Sequence, residues 1–560
     1  MKRENTGLDE GLLEVCTRAG QINRDNLVRL LSDNADTAFG RFYDFASLHS
    51  VEDYRRSVPL LDYASLQPWL ERMERGEEKV LTAYPVAGML RSSGTEGKVK
   101  RIPITFTALE RYADHIEWYK NRAHKEAGGK RLFVNGFRVG LMEEKEEYLL
   151  SEIYYRYLFC NGYLSFEEFA GGKETLFGQN GRDILYAKVW VGFAQEDITA
   201  LESIFLYDQI LFFQYMQKHW RSVLKGMRRK QIPERIGLPQ ETKRKLLETP
   251  VSEERLAYVE AACRSGFDGI AARLWPRLAL SSGIGGEAFE AEDGSLRGFL
   301  GKTSVYYFAY VASECHMGVA PGPEQARYVM LPQSAFYEYL PWPQKEGEES
   351  EKTLLPGQLE KGKLYEPVLS TFSGLYRCRM GDVVRSAGFL GESPVVEFVL
   401  RKNLFLNVAG EKLSVFQAER AVLQMSRRCG LPVRSYCVGQ LAWESPACYG
   451  AVFAVGRQER KTEEAEDGRQ EQGKPEAQEK RTAARLDRAL AAQSPDYEDL
   501  RKLRCLGRPQ ALLLEPEEYA AFLEELGLTG GHGKPRHAAG AIPEEVWKKW
   551  KDISSGRRKR

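Results

Sequence analysis

Between residues 133 and 191, short β-rich runs such as Leu132-Phe133-Val134 and Ile184-Leu185-Tyr186 are interleaved with helical stretches. This constrains the fold more than any other feature, because strands and helices that alternate along a chain pack as layers around a shared core. An α/β chain is expected. In the first 80 residues apolar positions recur among charged ones at helical spacing, as in Leu12, Leu13, Val15 and Cys16 and again over 61–80, so helices covering a core are predicted there. Residues 201–224 read as a buried helix, and 231–273, charged with apolar residues three and four apart, as helices on the outside. Strand signals return at 304–311, 326–331 and 367–384, the last interrupted by Gly374.

A chain of 560 residues exceeds what one core can absorb. Past Arg401-Lys402-Asn403 come a strand-like Leu404-Phe405-Leu406, a turn at Gly410, a helix over 414–427 and strands near Tyr436 and 450–455. This β-α-β-β order predicts a small α/β domain over 401–560 behind a large N-terminal domain over 1–400. Residues 457–481 carry charges, Gln, Gly and Pro, with no aromatic and no large aliphatic side chain. Such a segment cannot bury enough surface to offset chain entropy, so a disordered insertion is expected before a helix that starts near Thr482.

Lysines and arginines number 80 against 79 aspartates and glutamates, a net charge of +1. No global field therefore draws the chain to nucleic acid or to an anionic membrane, and the basic end 556–560 reads as a solvated terminus. No apolar run approaches the roughly 20 residues that cross a bilayer; the best, 204–216, is short and contains Asp208. The start lacks a secretory pattern, and nine cysteines lie scattered without CxxC pairs. A cytoplasmic protein with reduced thiols is expected.

The most informative segment is Leu90-Arg91-Ser92-Ser93-Gly94-Thr95-Glu96-Gly97-Lys98-Val99-Lys100. From Ser92 onward, two glycines, three hydroxyls and two lysines in nine residues offer backbone N–H groups, side-chain donors and positive charge to a polyphosphate. Ser92, Ser93, Gly94, Thr95, Gly97 and Lys98 are the candidates. The spacing is not that of a Walker loop, since Val99 stands where the magnesium-binding hydroxyl would be. Taken alone, the same residues also suit an exposed polar turn. A second cluster, Tyr310-Val311-Ala312-Ser313-Glu314, follows the aromatic run Tyr306-Tyr307-Phe308. A carboxylate at a strand end can hold Mg2+, which leaves Glu314 either a metal ligand or a surface residue. In the third, Tyr376 to Asp382, Gly381 allows a turn and Asp382 can accept two hydrogen bonds from a ribose diol. Arg377 or Arg379 could equally pair with Asp382 as a structural salt bridge. Seven histidines are dispersed, with His115 and His124 in a helical stretch. His316 follows the second cluster, open to a proton-accepting or a packed role.

Together and in this order, these clusters resemble the adenylate-forming enzymes, specifically the auxin-responsive acyl-acid amido synthetases known from plants and also found in bacteria. Asn34-Ala35-Asp36-Thr37-Ala38-Phe39-Gly40-Arg41 and Tyr54-Arg55-Arg56-Ser57-Val58-Pro59-Leu60-Leu61-Asp62-Tyr63 are similar to that family's N-terminal helices. Phe336-Tyr337-Glu338-Tyr339-Leu340-Pro341 and Leu406-Asn407-Val408-Ala409-Gly410-Glu411-Lys412 add further matches. The resemblance implies a large domain of β-sheets and barrel flanked by helices, with a smaller mobile C-terminal domain. It also implies ATP and Mg2+ as cofactors, a carboxylic acid and an amino acid as substrates, and a monomer. By the same resemblance Ser92, Ser93 and Thr95 hold ATP phosphates, Glu314 serves magnesium and Asp382 takes the ribose hydroxyls. Tyr310, Ser313 and Arg379 complete the nucleotide set, and Lys412 lies near it, just after a hinge. The family's α-phosphate lysine, in a Lys-x-Pro-Arg stretch, is matched by Gly533-Lys534-Pro535-Arg536, one residue shorter, which makes Lys534 the candidate. An acyl-CoA ligase and a nucleotide-binding regulator without turnover are the competing functions.

Overall fold

Side-chain caps and helical spacing set the N-terminal helices α1 (Glu10–Thr17), α2 (Ala19–Asp33), α3 (Ala38–Phe42), α4 (Val51–Ser57) and α5 (Tyr63–Glu74). Ser50 starts α4 by accepting the Asp53 N–H at 3.0 Å, and Asp62 starts α5 by accepting the Ser65 N–H at 2.8 Å. Leu27, Leu30 and Leu31 of α2 turn one face into the core, as the periodicity predicts. The computed structural model describes residues 10–92, 100–123, 129–138, 140–142, 147–178, 183–285, 296–342 and 352–401. It further describes 405–456 apart from 407, 409–412, 432 and 434, and 475–555 apart from 503, 527 and 529–537. One compact unit comprises Met1–Glu287 and Leu296–Val399, and another takes in Leu400–Arg560.

In the large unit, β1 (Val86–Ser92) and β2 (Lys100–Thr105) form an antiparallel hairpin leading into α6 (Phe106–Ala123). After β3 (Lys130–Phe133) come β4 (Glu147–Tyr148), which pairs with β1, then α7 (Leu150–Cys160) and α8 (Ile184–Ala194). The strand β5 (Ile198–Phe205) precedes the long helix α9 (Leu206–Arg229) and three shorter helices, Gln240–Glu248, Glu253–Arg264 and Ile270–Leu274. With β6 (Leu280–Ile284) and β7 (Ser304–Tyr307) these strands complete a parallel sheet in the order β3-β5-β6-β7. Two readings of the sequence change here. Ile184-Leu185-Tyr186 is the first turn of α8, not a strand, because α8 is buried on nearly every side and shows no amphipathic period. The stretch 201–224 is strand up to Phe205 and helix only beyond it, since a parallel strand covered on both faces is as continuously apolar as a buried helix.

A second sheet follows from β8 (Ala309–Val311), β9 (His316–Val319), β10 (Tyr328–Met330), β11 (Ala335–Trp342), β12 (Leu364–Thr371), β13 (Cys378–Arg379), β14 (Asp382–Leu390) and β15 (Ser393–Arg401). Its order is β11-β12-β14-β15-β10-β9-β8, with β13 beside β12. Gly374 turns the chain after β12 at φ +92°, where a Cβ would stand 2.9 Å from that of Leu81. Beneath this sheet Glu338 of β11 is fully buried and accepts from Arg55 Nε at 2.9 Å and Arg377 Nε at 3.0 Å.

In the smaller unit, Phe405–Leu406 pairs with Leu413–Ser414 ahead of the helix Val415–Cys429. Gln510–Leu514, Cys448–Ala454, Ser435–Leu441 and Ala538–Ala541 make a four-stranded sheet in that order. The helix expected to start near Thr482 begins at Pro475, so 475–481 are helical and only 457–474 fall outside the described residues. Proline suits a first helical turn, and Glu479 gives this polar stretch fixed partners by accepting the Leu513 N–H at 3.1 Å and the Ser554 hydroxyl at 2.6 Å.

Candidate active site

The phosphate-loop candidates fall in sequence at the end of β1 and between β1 and β2, which pair with Ser92 opposite Lys100. Ser93, Gly94, Thr95, Gly97 and Lys98 lie outside the described residues, as does the Ser92 side chain; the hairpin root shows where the loop leaves and returns. At that root Lys100 Nζ sits 5.2 Å from the centre of the Tyr63 ring, and the Arg101 N–H donates to the Tyr63 hydroxyl oxygen at 3.0 Å. Tyr63 opens α5. Two residues earlier, Leu61 donates its N–H to the Arg377 carbonyl at 2.9 Å and accepts the Arg379 N–H at 2.7 Å. The first and third motifs are thereby tied to the same short segment.

The second and third motifs touch directly. The Tyr310 hydroxyl donates to Asp382 Oδ2 at 2.9 Å, with Tyr310 6% and Asp382 4% exposed. Downstream of Tyr310, Ala312 and Cys315 exchange backbone hydrogen bonds of 2.9 and 3.2 Å, which places half-buried Ser313 and Glu314 on the bend between β8 and β9. Glu314 thus stands on a tight hairpin turn. Neither Arg377 nor Arg379 has a salt bridge to Asp382 in the structure, so the salt bridge considered from sequence is replaced. Arg379 pairs with Glu366 at 2.9 Å and Arg377 with Glu338 at 3.0 Å. The reason is register: β13 lies against β12 with Arg379 opposite Val368, which brings a β12 carboxylate within reach.

Charges converge on one buried sulfur. Burial pushes the Cys378 thiol well up, the Glu314 carboxylate adds to this, Lys100 opposes it, and Asp62 and Glu366 push it further. Lys100 at the hairpin root, Glu314 on the bend and the turn ahead of Asp382 therefore share a neighbourhood. The Ser65 hydroxyl and N–H hold the Asp62 carboxyl below its usual range, with the Arg379 charge assisting. This donor set fits a nucleotide polyphosphate. Lys100 and Arg379 supply positive charge, Asp382 supplies acceptors for a diol, and Glu314 supplies a carboxylate for a divalent cation. Among the described residues no three His, Cys, Asp or Glu gather as a group that could hold a metal ion.

Other candidates separate from this group. Lys412 and Lys534 lie outside the described residues, as does His124. His316 is buried with its Nδ1 against Nδ1 of His115, whose Nε2 meets the Ser334 hydroxyl at 3.2 Å. Burial pushes His316 down to about 3, so it is a packed histidine, not a proton acceptor at neutral pH. Two neighbours of the site went unrecognised in the sequence: Tyr63 and Glu366. The last left a readable sign, a lone carboxylate inside the apolar strand Leu364–Thr371.

Comparison with known proteins adds a lineage. Residues 9–302 match the model of the GH3 family N-terminal domain and residues 328–401 that of the GH3 family central domain. Jasmonoyl–L-amino acid synthetase GH3.5 of Oryza sativa subsp. japonica is 26% identical over 445 residues, covering 74% of this chain and 76% of its own. Indole-3-acetic acid-amido synthetase GH3.6 of Arabidopsis thaliana is 24% identical over 439 residues, covering 73% and 72%. In fold, the acyl acid amido synthetase AtGH3.15 in complex with 2,4-DB superposes with a TM-score of 0.81 at 21% identity, covering 97% of this chain and 95% of that one. A 2-hydroxyisobutyryl-CoA ligase in the postadenylation state gives 0.51 at 11% identity, covering 98% and 92%.

Proposed function

This chain belongs to the GH3 family, and we propose from that premise that it is an ATP-dependent acyl-acid amido synthetase, joining a carboxylic acid to an amino acid. The supporting observation is the Tyr310–Asp382 hydrogen bond, which joins two motifs separated by 72 residues. A carboxylate is a poor electrophile toward an amine because resonance spreads its charge, so it must be activated. Its oxygen attacks the α-phosphorus of ATP, forming an acyl–phosphate bond while the bond to pyrophosphate breaks. The amine nitrogen then attacks the acyl carbon, AMP departs with the bonding pair, and the ammonium proton is lost to solvent. Both steps crowd negative charge, so fixed donors matter more than a dedicated acid or base.

In this reading Ser92, Ser93, Gly94, Thr95, Gly97 and Lys98 wrap the phosphates, with Lys100 adding charge at the loop's base. Glu314 beside Ser313 holds magnesium, which when bound offsets phosphate charge. Asp382, steadied by Tyr310 and flanked by Arg379, accepts the ribose hydroxyls. Lys534 is the candidate lysine for the α-phosphate, and Lys412 lies near the nucleotide. Residues 1–400 serve ATP and acid, and 401–560 form the second domain. The protein works as a monomer in the cytoplasm, where ATP and free amino acids coexist; all nine cysteines are free thiols, and no described helix is long and apolar enough to cross a membrane.

Lys98→Ala and Asp382→Ala each lower acid-dependent ATP–pyrophosphate exchange by roughly 10²-fold. Unchanged exchange in both variants removes their assigned roles. Incubation with ATP, a panel of acids and either mixed amino acids or coenzyme A, followed by mass spectrometry, separates amide from thioester formation. ATP binding without AMP release across the panel would identify a silent nucleotide binder.

A further inference from the structure

One tyrosine ties the start of β2 to the segment that braces the third motif. Tyr63 opens α5 and is half-buried. Its hydroxyl oxygen accepts the Arg101 N–H at 3.0 Å, and its ring centre lies 5.2 Å from Lys100 Nζ. β2 stands at the edge of a sheet ordered β2-β1-β4, and Tyr63 supplies at that edge an acceptor that a neighbouring strand supplies elsewhere. The Arg101 guanidinium extends the attachment, pairing with Glu74 at the far end of α5 at 3.6 Å and with Glu147 of β4. α5 therefore holds Arg101 from both of its ends. Two residues before Tyr63, the backbone of Leu61 is bonded to Arg377 and Arg379, which fixes the same segment to the chain around β13.

A ring face attracts an ammonium without neutralising it, whereas a carboxylate in the same place would cancel its charge. Carboxylates are near: Asp62, Glu314 and Glu366 all act on the Cys378 thiol together with Lys100. Asp62 is turned to its own helix, where Oδ1 accepts the Ser65 N–H at 2.8 Å and the Ser65 hydroxyl at 2.7 Å. With Arg101 pinned by its backbone, the Lys100 stem starts from a fixed point, and the Tyr63 ring sets where the ammonium ends. We propose that Tyr63 is a positioning residue for Lys100, holding its ammonium against the ring so that the charge is presented to the nucleotide phosphates. This inference rests on reading Lys100 as a phosphate-binding cation.

The test is calorimetric titration of the full chain with magnesium-ATP and with adenosine, which keeps base and ribose and lacks every phosphate. The unsubstituted protein binds ATP more tightly by roughly 10²-fold or more, because adenosine forgoes the charge-assisted contacts to phosphate. Lys100→Met lowers that ratio by roughly tenfold. Tyr63→Phe, which keeps the ring and loses the hydroxyl, lowers it by about threefold, and Tyr63→Leu, which loses both, by roughly tenfold, while affinity for adenosine changes little. In the Lys100→Met background neither Tyr63 variant lowers the ratio further, since each acts through the ammonium. A role confined to general stability would weaken both ligands together and leave the ratio intact, which overturns the proposal. An effect of the Tyr63 variants on the ratio that persists without Lys100 overturns it as well. Tyr63→Phe keeps the packing of a half-buried side chain, so if Tyr63→Leu does not fold, the Tyr63→Phe ratio with and without Lys100 decides. Ratios unchanged by the Tyr63 variants but lowered by Lys100→Met overturn the positioning role alone. A ratio that Lys100→Met leaves unmoved overturns the reading of Lys100 itself.

Discussion

Replacing Lys188 by methionine should stabilise this protein, in a way that depends on pH. Lys188 lies in α8 with 0% exposure, and its Nζ has no hydrogen-bond partner among the described residues. One turn further, a Cβ on Gly192 would stand 2.9 Å from the Trp275 ring and 3.3 Å from Leu132, which shows how closely this helix packs. Burial alone pushes the Lys188 amine from its usual 10.5 down to about 7. Between those values the unfolded chain carries a proton that the folded chain has given up, so stability rises with pH across the window. Integrated, the cost to the fold is about 4 kcal/mol at pH 7 and about 1 kcal/mol at pH 10. Lys188→Met keeps the apolar stem and removes the titrating group. Urea unfolding, followed on the large unit at pH 7 and pH 10, should show the variant more stable at pH 7, with the advantage smaller by about 3 kcal/mol at pH 10. Equal advantages at both pH values, or a less stable variant at pH 7, would show that the amine keeps a charge or a partner in solution and would refute the reasoning.

Two further outcomes concern the same unit. Because burial holds His316 near 3, its contribution is full above pH 6.5 and is lost below it as the unfolded chain takes up the proton, costing about 2 kcal/mol between pH 7 and pH 5; in His316→Phe that part of the acid limb in a Tm–pH profile should flatten. Glu338→Ala leaves Arg377, 2% exposed, without its carboxylate and should destabilise by about 3–5 kcal/mol in denaturant titration, whereas Glu338→Leu with Arg377→Leu recovers a substantial part.

The chemistry of the candidate site was legible where it depends on a few adjacent residues. A glycine-serine run and a glycine at the turn before Asp382 are recognisable from sequence because backbone freedom acts within one or two turns of chain. The family resemblance was legible for the same reason, being carried by short ordered motifs. Illegible were the partners. Arg379 meets Glu366 across a strand register, and Lys100 meets Tyr63 from a different element. His316 looked available for chemistry until its burial against His115 was visible. The apolar runs at 184–186 and 201–205 went to the wrong type of element, since a helix buried all round and a strand covered on both faces share a composition.

Taken by itself, the amino-acid order determined the alternation of strands and helices, the caps and turns, and the lineage to which the chain belongs. Tertiary structure alone decided that Tyr310 reaches Asp382, that Glu366 rather than Asp382 holds Arg379, and that Lys188 spends the folded state without water. The division has a physical cause. Local conformation answers to residues a few positions away, whereas burial, ion pairing and shifted proton affinity exist only after sheets have brought distant segments together and excluded solvent from between them.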